Sequence, residues 1–577
     1  MKRLLLLSLL ALAAFPAVAL ADDDDDDRGR HHKHKKDVKV QLLGLNDFHG
    51  HLEANTPGTI APDPASPRVP AGGAEYLATH LREKESTNRR NTLIVSAGDL
   101  IGASPLLSAL FHDEPTIEAM NKMGLDLNAV GNHEFDEGAA ELQRMQRGGC
   151  HPVDGCLDGN GFGGAKFGFL AANVVNERGR TIFPAYSIKK FDGIKVGFIG
   201  MTLEGTPDIV SPSGVAGLDF LDEADTANRY ANELRRRHGV RAVVVLLHEG
   251  GVQSAPGGIN DCNGISGPIV DIVNRTTSQV DLFVTGHTHT AYNCVIDGRP
   301  VTSASSFGRL LTDIDLELDR RSKDVVEVAA NNQIITQNVF KAMDMTELIG
   351  RYNTIAGPLR DRVIGRISAD ITRTPDDSRE NAAGNLIADA QLAATSSPET
   401  GSAVAAFMNP GGVRADFTFA QSGTEGAGNV TYGEAFTVQP FGNSLVTMTL
   451  TGAQILEMLK SQWCGAASPR VLLPSASVGY TFDLSDAAAI TGAPCAGAVN
   501  PVSNLTIAGT AVNPAASYRI TVNSFLADGG DSFPVLRQGT DRLGGEVDTD
   551  ALEDYIASSL TGTPVAPPAL DRIDVVP

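Results

Sequence analysis

Aspartate, asparagine and histidine recur at one kind of place in this chain: directly after an apolar run. Asp47 and His49 follow 38–45, Asp99 follows 92–97, and Asn132 and His133 follow 125–130. His248 follows 241–247, and His287 and His289 follow 280–285. Open α/β sheets place their sites at the carboxyl ends of strands. A single histidine there is an ordinary turn residue. Five such endings, all drawn from oxygen and imidazole donors, match what two divalent cations about 3.5–4 Å apart require, including one shared carboxylate. Asp99 stands alone at the end of its run, which suits the bridge. No cysteine joins the set, so the expected metals are hard or borderline: Mn, Zn or Co first, Mg or Ca next. Such a pair polarises a phosphoryl group and lowers the pKa of a bound water. The chemistry this implies is hydrolysis of a phosphoester.

The densest stretch is Gly131-Asn132-His133-Glu134-Phe135-Asp136. Asn132 can ligate through its amide oxygen. His133 and Asp136, three apart, meet if a helical turn begins there, and a carboxylate on an imidazole fixes its tautomer and raises its pKa. Glu134 is left with no role beyond supporting the turn.

The elements that must carry these residues are short strands alternating with helices, the pattern of helices layered on sheet. Strands are predicted over 38–45, 92–97, 125–130, 166–173, 194–200, 241–247 and 280–285. Helices are predicted over 73–84 and 115–123, the second opening on proline and stopping at Gly124. Residues 336–363 read as a linker or hinge, helical over 344–352 and 355–363 on either side of Gly357-Pro358. Beyond 364 the composition shifts towards Ala, Gly, Thr and Val, and a second α+β domain is expected to 577, with helices over 381–395 and 451–460.

Four stretches of that second half hold recognition chemistry. Arg379 precedes a predicted helix, where the dipole disfavours a cation and a separate task is implied. Arg414 closes the glycine-rich turn Asn409-Pro410-Gly411-Gly412-Val413. Phe441 and Asn443 share one loop, and Phe525 stands six residues before Asp531. Two guanidiniums for anionic oxygens, two rings to sandwich a flat base and an acid for hydroxyls or ring nitrogens make the inventory of a nucleotide site.

Composition narrows the setting. The 577 residues carry a net charge of −22, which argues against general nucleic-acid binding. Lys2 and Arg3, the apolar run 4–14 and Ala19-Leu20-Ala21 read as a signal peptide cut after Ala21. An acidic and then His-rich tail, 22–37, is expected to be solvated and disordered. A periplasmic or secreted protein without a membrane anchor follows. Six cysteines in an oxidising compartment predict disulfides, and proximity favours 150–156, 262–294 and 464–495.

The motifs D-x-H, G-D, G-N-H-E-F-D, H-E and G-H-x-H, in this order, resemble the calcineurin-like metallophosphoesterases. With R-E-x-x-x-G-N-L, N-x-G-G-x-R, P-F-G-N and N-x-F-x-x-x-G-G-D, the chain over about 38–540 is similar to the bacterial 5′-nucleotidase family. The resemblance implies a four-layer metallophosphoesterase β-sandwich flanked by helices (38–335), a linker helix (336–363) and a C-terminal α+β nucleotide-binding domain (364–577). It implies one metal on Asp47, His49, Asp99 and His289, and another on Asp99, Asn132, His248 and His287. His133 and Asp136 match the catalytic pair. Arg379 and Arg414 would contact phosphate or ribose, Phe441 and Phe525 would stack the base, and Asn443 and Asp531 would bind base or ribose. Some members carry Gln or Asn at the His289 position, and some a further Arg where this chain has Pro375. The activity implied is release of phosphate from nucleoside 5′-phosphates by a metal-bound hydroxide, in a monomer or dimer. The alternatives are a 2′,3′-cyclic nucleotide phosphodiesterase, a UDP-sugar or dinucleotide pyrophosphatase, an extracellular nuclease and, most remotely, a non-catalytic nucleotide-binding protein.

Overall fold

The computed structural model describes residues 37–54, 58–210, 214–255, 257–465, 468–497 and 499–577. The expected signal peptide, and the charged tail apart from Asp37, lie outside these residues.

Twelve strands build two six-stranded sheets in the first half. They are β1 Val38–Leu45, β2 Thr92–Ser96, β3 Leu127–Ala129, β4 Gly168–Leu170, β5 Tyr186–Phe191 and β6 Ile194–Thr202. They continue with β7 Ala242–His248, β8 Leu282–Thr285, β9 Ala291–Ile296, β10 Arg299–Ala304, β11 Leu310–Leu318 and β12 Val325–Ile334. The sheet orders are β12-β11-β1-β2-β3-β4 and β9-β10-β8-β7-β6-β5. The strands that end in the acidic and histidine residues run parallel to their neighbours: β1, β2 and β3 in one sheet, β7 and β8 in the other. Their ends therefore gather at one edge of each sheet. Every residue of β7 is buried, as expected of a strand covered on both faces.

Between the sheets lies an apolar layer to which both contribute, including Val40, Leu42, Val95, Ala129, Phe198, Val244, Leu246 and Val284. The sheets approach closely at Gly200, where a Cβ would fall 2.4 Å from that of Leu170. Helices α1 (Ala74–Glu85) and α2 (Glu114–Met123) cover the outer face of the first sheet. Helices Glu223–Glu233 and Pro268–Arg275 cover that of the second. The result is helix, sheet, sheet, helix.

The expected pair of helical stretches in the linker is instead one helix, α3 (Met343–Arg360), with Pro358 inside its last turn. A proline there removes one main-chain donor near an end where few turns remain to be disrupted. The apolar face of Met345, Leu348, Ile349, Tyr352 and Ala356 runs through unbroken and packs with α1 and α2. Val363, expected to be helical, instead starts a strand pairing with Thr431. Helix α4 (Ala382–Thr395) follows, capped by the Asn381 side chain.

The second half holds a five-stranded sheet of β13 Ala405–Met408, β14 Ser444–Thr451, β15 Leu473–Pro474, β16 Ser517–Asn523 and β17 Thr540–Val547, in the order β15-β13-β16-β14-β17. A four-stranded sheet accompanies it. All six cysteines pair as proximity suggested: Cys150–Cys156, Cys262–Cys294 and Cys464–Cys495.

Candidate active site

The strand ends bring seven side chains together, and five of these residues hold a left-handed backbone: Asp47 (φ 48°), His49 (47°), Asp99 (51°), His287 (71°) and His289 (54°). Such conformations are costly for any residue but glycine, and they persist where the surroundings over-determine them. Here the surroundings do so. The Asn46 amide donates to Asp47 Oδ2 at 2.6 Å, and the His287 main-chain N–H donates to both Asp47 oxygens at 3.1 and 3.0 Å. Asp99 Oδ1 accepts the His133 N–H at 2.9 Å. Gly131 allows that approach, since a Cβ there would lie 2.1 Å from Asp99 Oδ1.

Orientation of the imidazoles tests whether cations fit. His49 Nδ1 lies 2.8 Å from the Gly102 carbonyl and His248 Nδ1 lies 2.7 Å from that of Ala97. A carbonyl only accepts, so both rings keep a proton on Nδ1 and turn Nε2 inward, where it can take a proton or a cation. What Nε2 meets is more acceptors. His248 Nε2 lies 3.0 Å from Asp99 Oδ2 and has no hydrogen-bond partner. His49 Nε2 lies 3.5 Å from Asp99 Oδ2 and 3.1 Å from His289 Nε2, which is itself 3.2 Å from Asp47 Oδ1. His287 Nδ1 lies 3.1 Å from Asn132 Oδ1. Buried acceptors facing one another repel unless cations sit among them. Two groups have the spacing to hold one: Asp47, His49 and His289, and Asp47, Asp99 and His248. Asp99 Oδ2 reaches both His49 and His248. Burial works against charge on His248, yet Asp99 and Asp47 outweigh it and raise its pKa to about 10. The site draws positive charge.

Beside this cluster, a single turn of 3-10 helix (His133–Phe135) sets His133 Nδ1 2.8 Å from Asp136 Oδ2. Burial disfavours charge on His133, but Asp136 and Asp99 prevail and its pKa rises. A cavity of about 190 Å³ opens on this pair. Asn132, His133, Asp136 and His287 form one wall, and Arg414, Phe441, Asn443, Phe525 and Asp531 form the other. Phe441 joins the two walls: its ring lies 5.8 Å from that of His133, nearly parallel, and 5.8 Å from the Arg414 guanidinium.

Residues 40–291 match the calcineurin-like phosphoesterase family, and residues 363–538 match the C-terminal domain of 5′-nucleotidases. The cell wall protein Lmo0130 of Listeria monocytogenes is 31% identical over 90% of this chain and 67% of its own length. The chain belongs to the 5′-nucleotidase family.

Other relatives match along most of this chain. The 5′-nucleotidase of Vibrio cholerae is 25% identical over 91% of each chain. The crystal structure of a 5′-nucleotidase precursor from Thermus thermophilus superposes with a TM-score of 0.73 at 26% identity, covering 93% of this chain and 99% of that one. Endonuclease YhcR of Bacillus subtilis is 31% identical over 90% of this chain, which spans only 40% of that relative's length.

Within this family framework, Arg379 stands apart from the other sequence-predicted residues. It is exposed, sits in the turn Asp376–Glu380 before the Asn381 cap, and is not among the residues lining the cavity. Three residues escaped sequence reasoning. Glu134 accepts from the N–H groups of Asp99, Leu100 and Gly131 at 2.9, 2.9 and 2.6 Å and from the Asn128 amide at 3.2 Å, so it ties two strand ends together. Asn523 and Asn409 form a directed relay. Leu526 N–H donates to Asn523 Oδ1, the Asn523 amide donates to Asn409 Oδ1, and the Asn409 amide donates to Asp531 Oδ2 at 2.8 Å. The only sequence signal for Asn409 and Asn523 is their place within the turns that carry Arg414 and Phe525.

Proposed function

We propose that this chain releases phosphate from nucleoside 5′-phosphates, with two divalent cations held by Asp47, His49, Asp99, Asn132, His248, His287 and His289. Asp99 would be shared, with Asp47, His49 and His289 completing one position and Asn132, His248 and His287 the other. Bound there, the cations polarise phosphoryl oxygens and acidify a water.

The chain's own groups do the rest. Arg414, half-buried and without a carboxylate within ion-pairing distance among the described residues, binds phosphoryl oxygens. His133 is held by Asp136 through Nδ1 and turns Nε2 to the substrate. From there it stabilises developing phosphate charge and protonates the leaving 5′-oxygen. Phe441 and Phe525 stack the base. Asp531, with Oδ2 occupied by Asn409, keeps Oδ1 to accept from ribose or base.

The observation that carries this reading is the shared cavity: His133 and Asp136 line one space with Phe441 and Phe525, two rings available to a base. Three cystines support a protein exported to the periplasm or beyond. Among the described residues no helix is long and apolar enough to cross a membrane.

Similarity to an endonuclease favours a second reading, cleavage of phosphodiesters. The net charge of −22 favours small substrates over nucleic acid. A substrate panel separates the two. AMP, ATP, a UDP-sugar, a 2′,3′-cyclic nucleotide, NAD and single-stranded DNA are each offered to stripped enzyme reloaded with Mn, Zn, Co, Mg or Ca. The proposal expects AMP or ATP to give the highest kcat/KM. A preference for the cyclic nucleotide, the sugar, NAD or DNA overturns it.

A further inference from the structure

Behind the catalytic pair, a second group of side chains of metal-binding type gathers where the loop closed by Cys150–Cys156 meets the turn that carries His112. His112 Nε2 and His151 Nδ1 both approach Asp154 Oδ2, at 2.9 and 3.1 Å. His112 Nδ1 lies 2.9 Å from Glu137 Oε2, the residue after Asp136. The three inner atoms come close enough together to share an ion. Ligands around a tetrahedral zinc at ~2.0–2.1 Å stand roughly 3.3 Å apart, near the spacing here.

The backbone supports a built site. His112 and its neighbour Asp113 are both left-handed, at φ 51° and 59°. The Asp113 carboxylate fixes that turn by accepting from Gly102 N–H at 2.9 Å and the Ser108 hydroxyl at 2.6 Å. The disulfide places His151 and Asp154 within one seven-residue ring of chain.

We propose that His112, His151 and Asp154 bind a structural divalent cation of the zinc type, with Glu137 holding the His112 tautomer from outside. A carboxylate on Nδ1 makes Nε2 the lone-pair nitrogen, the usual support of a metal-bound histidine. Two imidazoles and one carboxylate suit zinc, with water completing the four positions. The rings of His112 and His151 stack at 3.8 Å and 17°, which aims their lone pairs side by side. Binding therefore turns the His151 ring out of the stack and displaces the weak 3.2 Å bond it accepts from Asp154 N–H. The ion would pin the disulfide loop to the turn carrying His112, which Glu137 in turn ties to the residues after Asp136. A proton competes for the same place: the Glu137 contact raises His112 to about 9, so occupancy falls in acid. The site stands independently of the proposed reaction.

The test is a zinc count by mass spectrometry on full-length protein, stripped, reloaded with zinc alone and desalted. Wild type is expected to keep one zinc per chain more than His151→Ala/Asp154→Asn. Equal counts overturn the proposal and leave His112 as an imidazolium clamped between two carboxylates. If the double variant does not fold, Glu137→Gln decides, because it keeps all three ligands. Losing the outer carboxylate is expected to weaken one zinc-binding step by ~10–100-fold in a competition titration, and unchanged affinity at every step overturns the site.

Discussion

The two walls of the cavity are built on different principles. The metal-side residues end buried parallel strands, and Asp47, His49 and His248 are wholly buried, Asp99 nearly so. Each is held by main-chain groups or by a neighbour that is itself held. On the opposite wall Arg414, Phe441, Asn443, Phe525 and Asp531 are half-buried, as His133, Asp136 and His287 are, and stand in loops, in the short helix Ser524–Ala527 and in the 3-10 turn Gly530–Ser532. Strain alone does not separate the walls, since Asp531 is also left-handed at φ 54°. Bracing does. The first wall admits one arrangement of charge, as preorganised electrostatic catalysis requires. The second leaves rings free to settle on a ligand. Chemistry is thus fixed on one side of the cavity, and selectivity can be changed on the other without disturbing it.

The strongest way to break this contrast is at the metal-side wall. His133→Ala should lower kcat by ~10²–10⁴-fold, the usual contribution of a positioned acid or base. Metal content, read by mass spectrometry, should stay at the wild-type value because His133 is not a ligand. Surviving activity would remove His133 from the mechanism, and lost metal would make its role structural.

Glu134→Gln tests whether bracing is what fixes that wall. Glu134 receives four donors, and an amide can accept on only one of its two terminal atoms. Metal affinity should fall by ~10–100-fold, as it does when groups supporting ligands are lost. At saturating metal, kcat should recover most of its value. A kcat loss that excess metal does not repair would mean Glu134 acts on the reaction itself.

Glu134 also marks where sequence reasoning ends. The strand-end ligands were legible because each follows its own apolar run, and the meeting of His133 with Asp136 follows from a three-residue spacing. The cystines were legible because close pairs in sequence were close in space. The Glu134 contacts join strand ends some 35 residues apart, a proximity set by the parallel pairing of β2 with β3 and by no local pattern. Arg379 is a different case: the helix starts where the sequence put it, at Ala382 after the Asn381 cap, and Arg379 precedes it in the turn Asp376–Glu380, outside the residues that line the cavity.

The recognition wall should respond more mildly and more selectively. Phe441→Ala and Phe525→Ala should each cost about 1–3 kcal/mol of stacking, or roughly 5–150-fold in kcat/KM for a nucleotide. A small aryl phosphate, which has no base, should lose far less at Phe525. Phe441 also packs on His133, so its variant should affect both substrates in part. Equal losses at Phe525 would place the base elsewhere.

The smallest effect separates the two arginines. Arg414 lies in the cavity, and burial pushes its pKa down, with Arg373 adding to the shift and Asp99, Asp136 and Asp47 opposing it. A guanidinium in that position gains most from an arriving phosphate, so Arg414→Ala should raise KM for AMP by at least about tenfold, the scale of a lost charge-assisted hydrogen bond. Arg379 is exposed and outside the lining, so Arg379→Ala should move KM by less than about threefold, the scale of surface ion pairs worth ~0.2–1 kcal/mol. Isothermal titration of AMP into both variants, loaded with Ca to slow turnover, reads the difference directly. A comparable loss in Arg379→Ala would mean that the turn Asp376–Glu380 folds over the bound nucleotide. The second wall would then be closed by the ligand itself, which extends the contrast with the metal side rather than cancelling it.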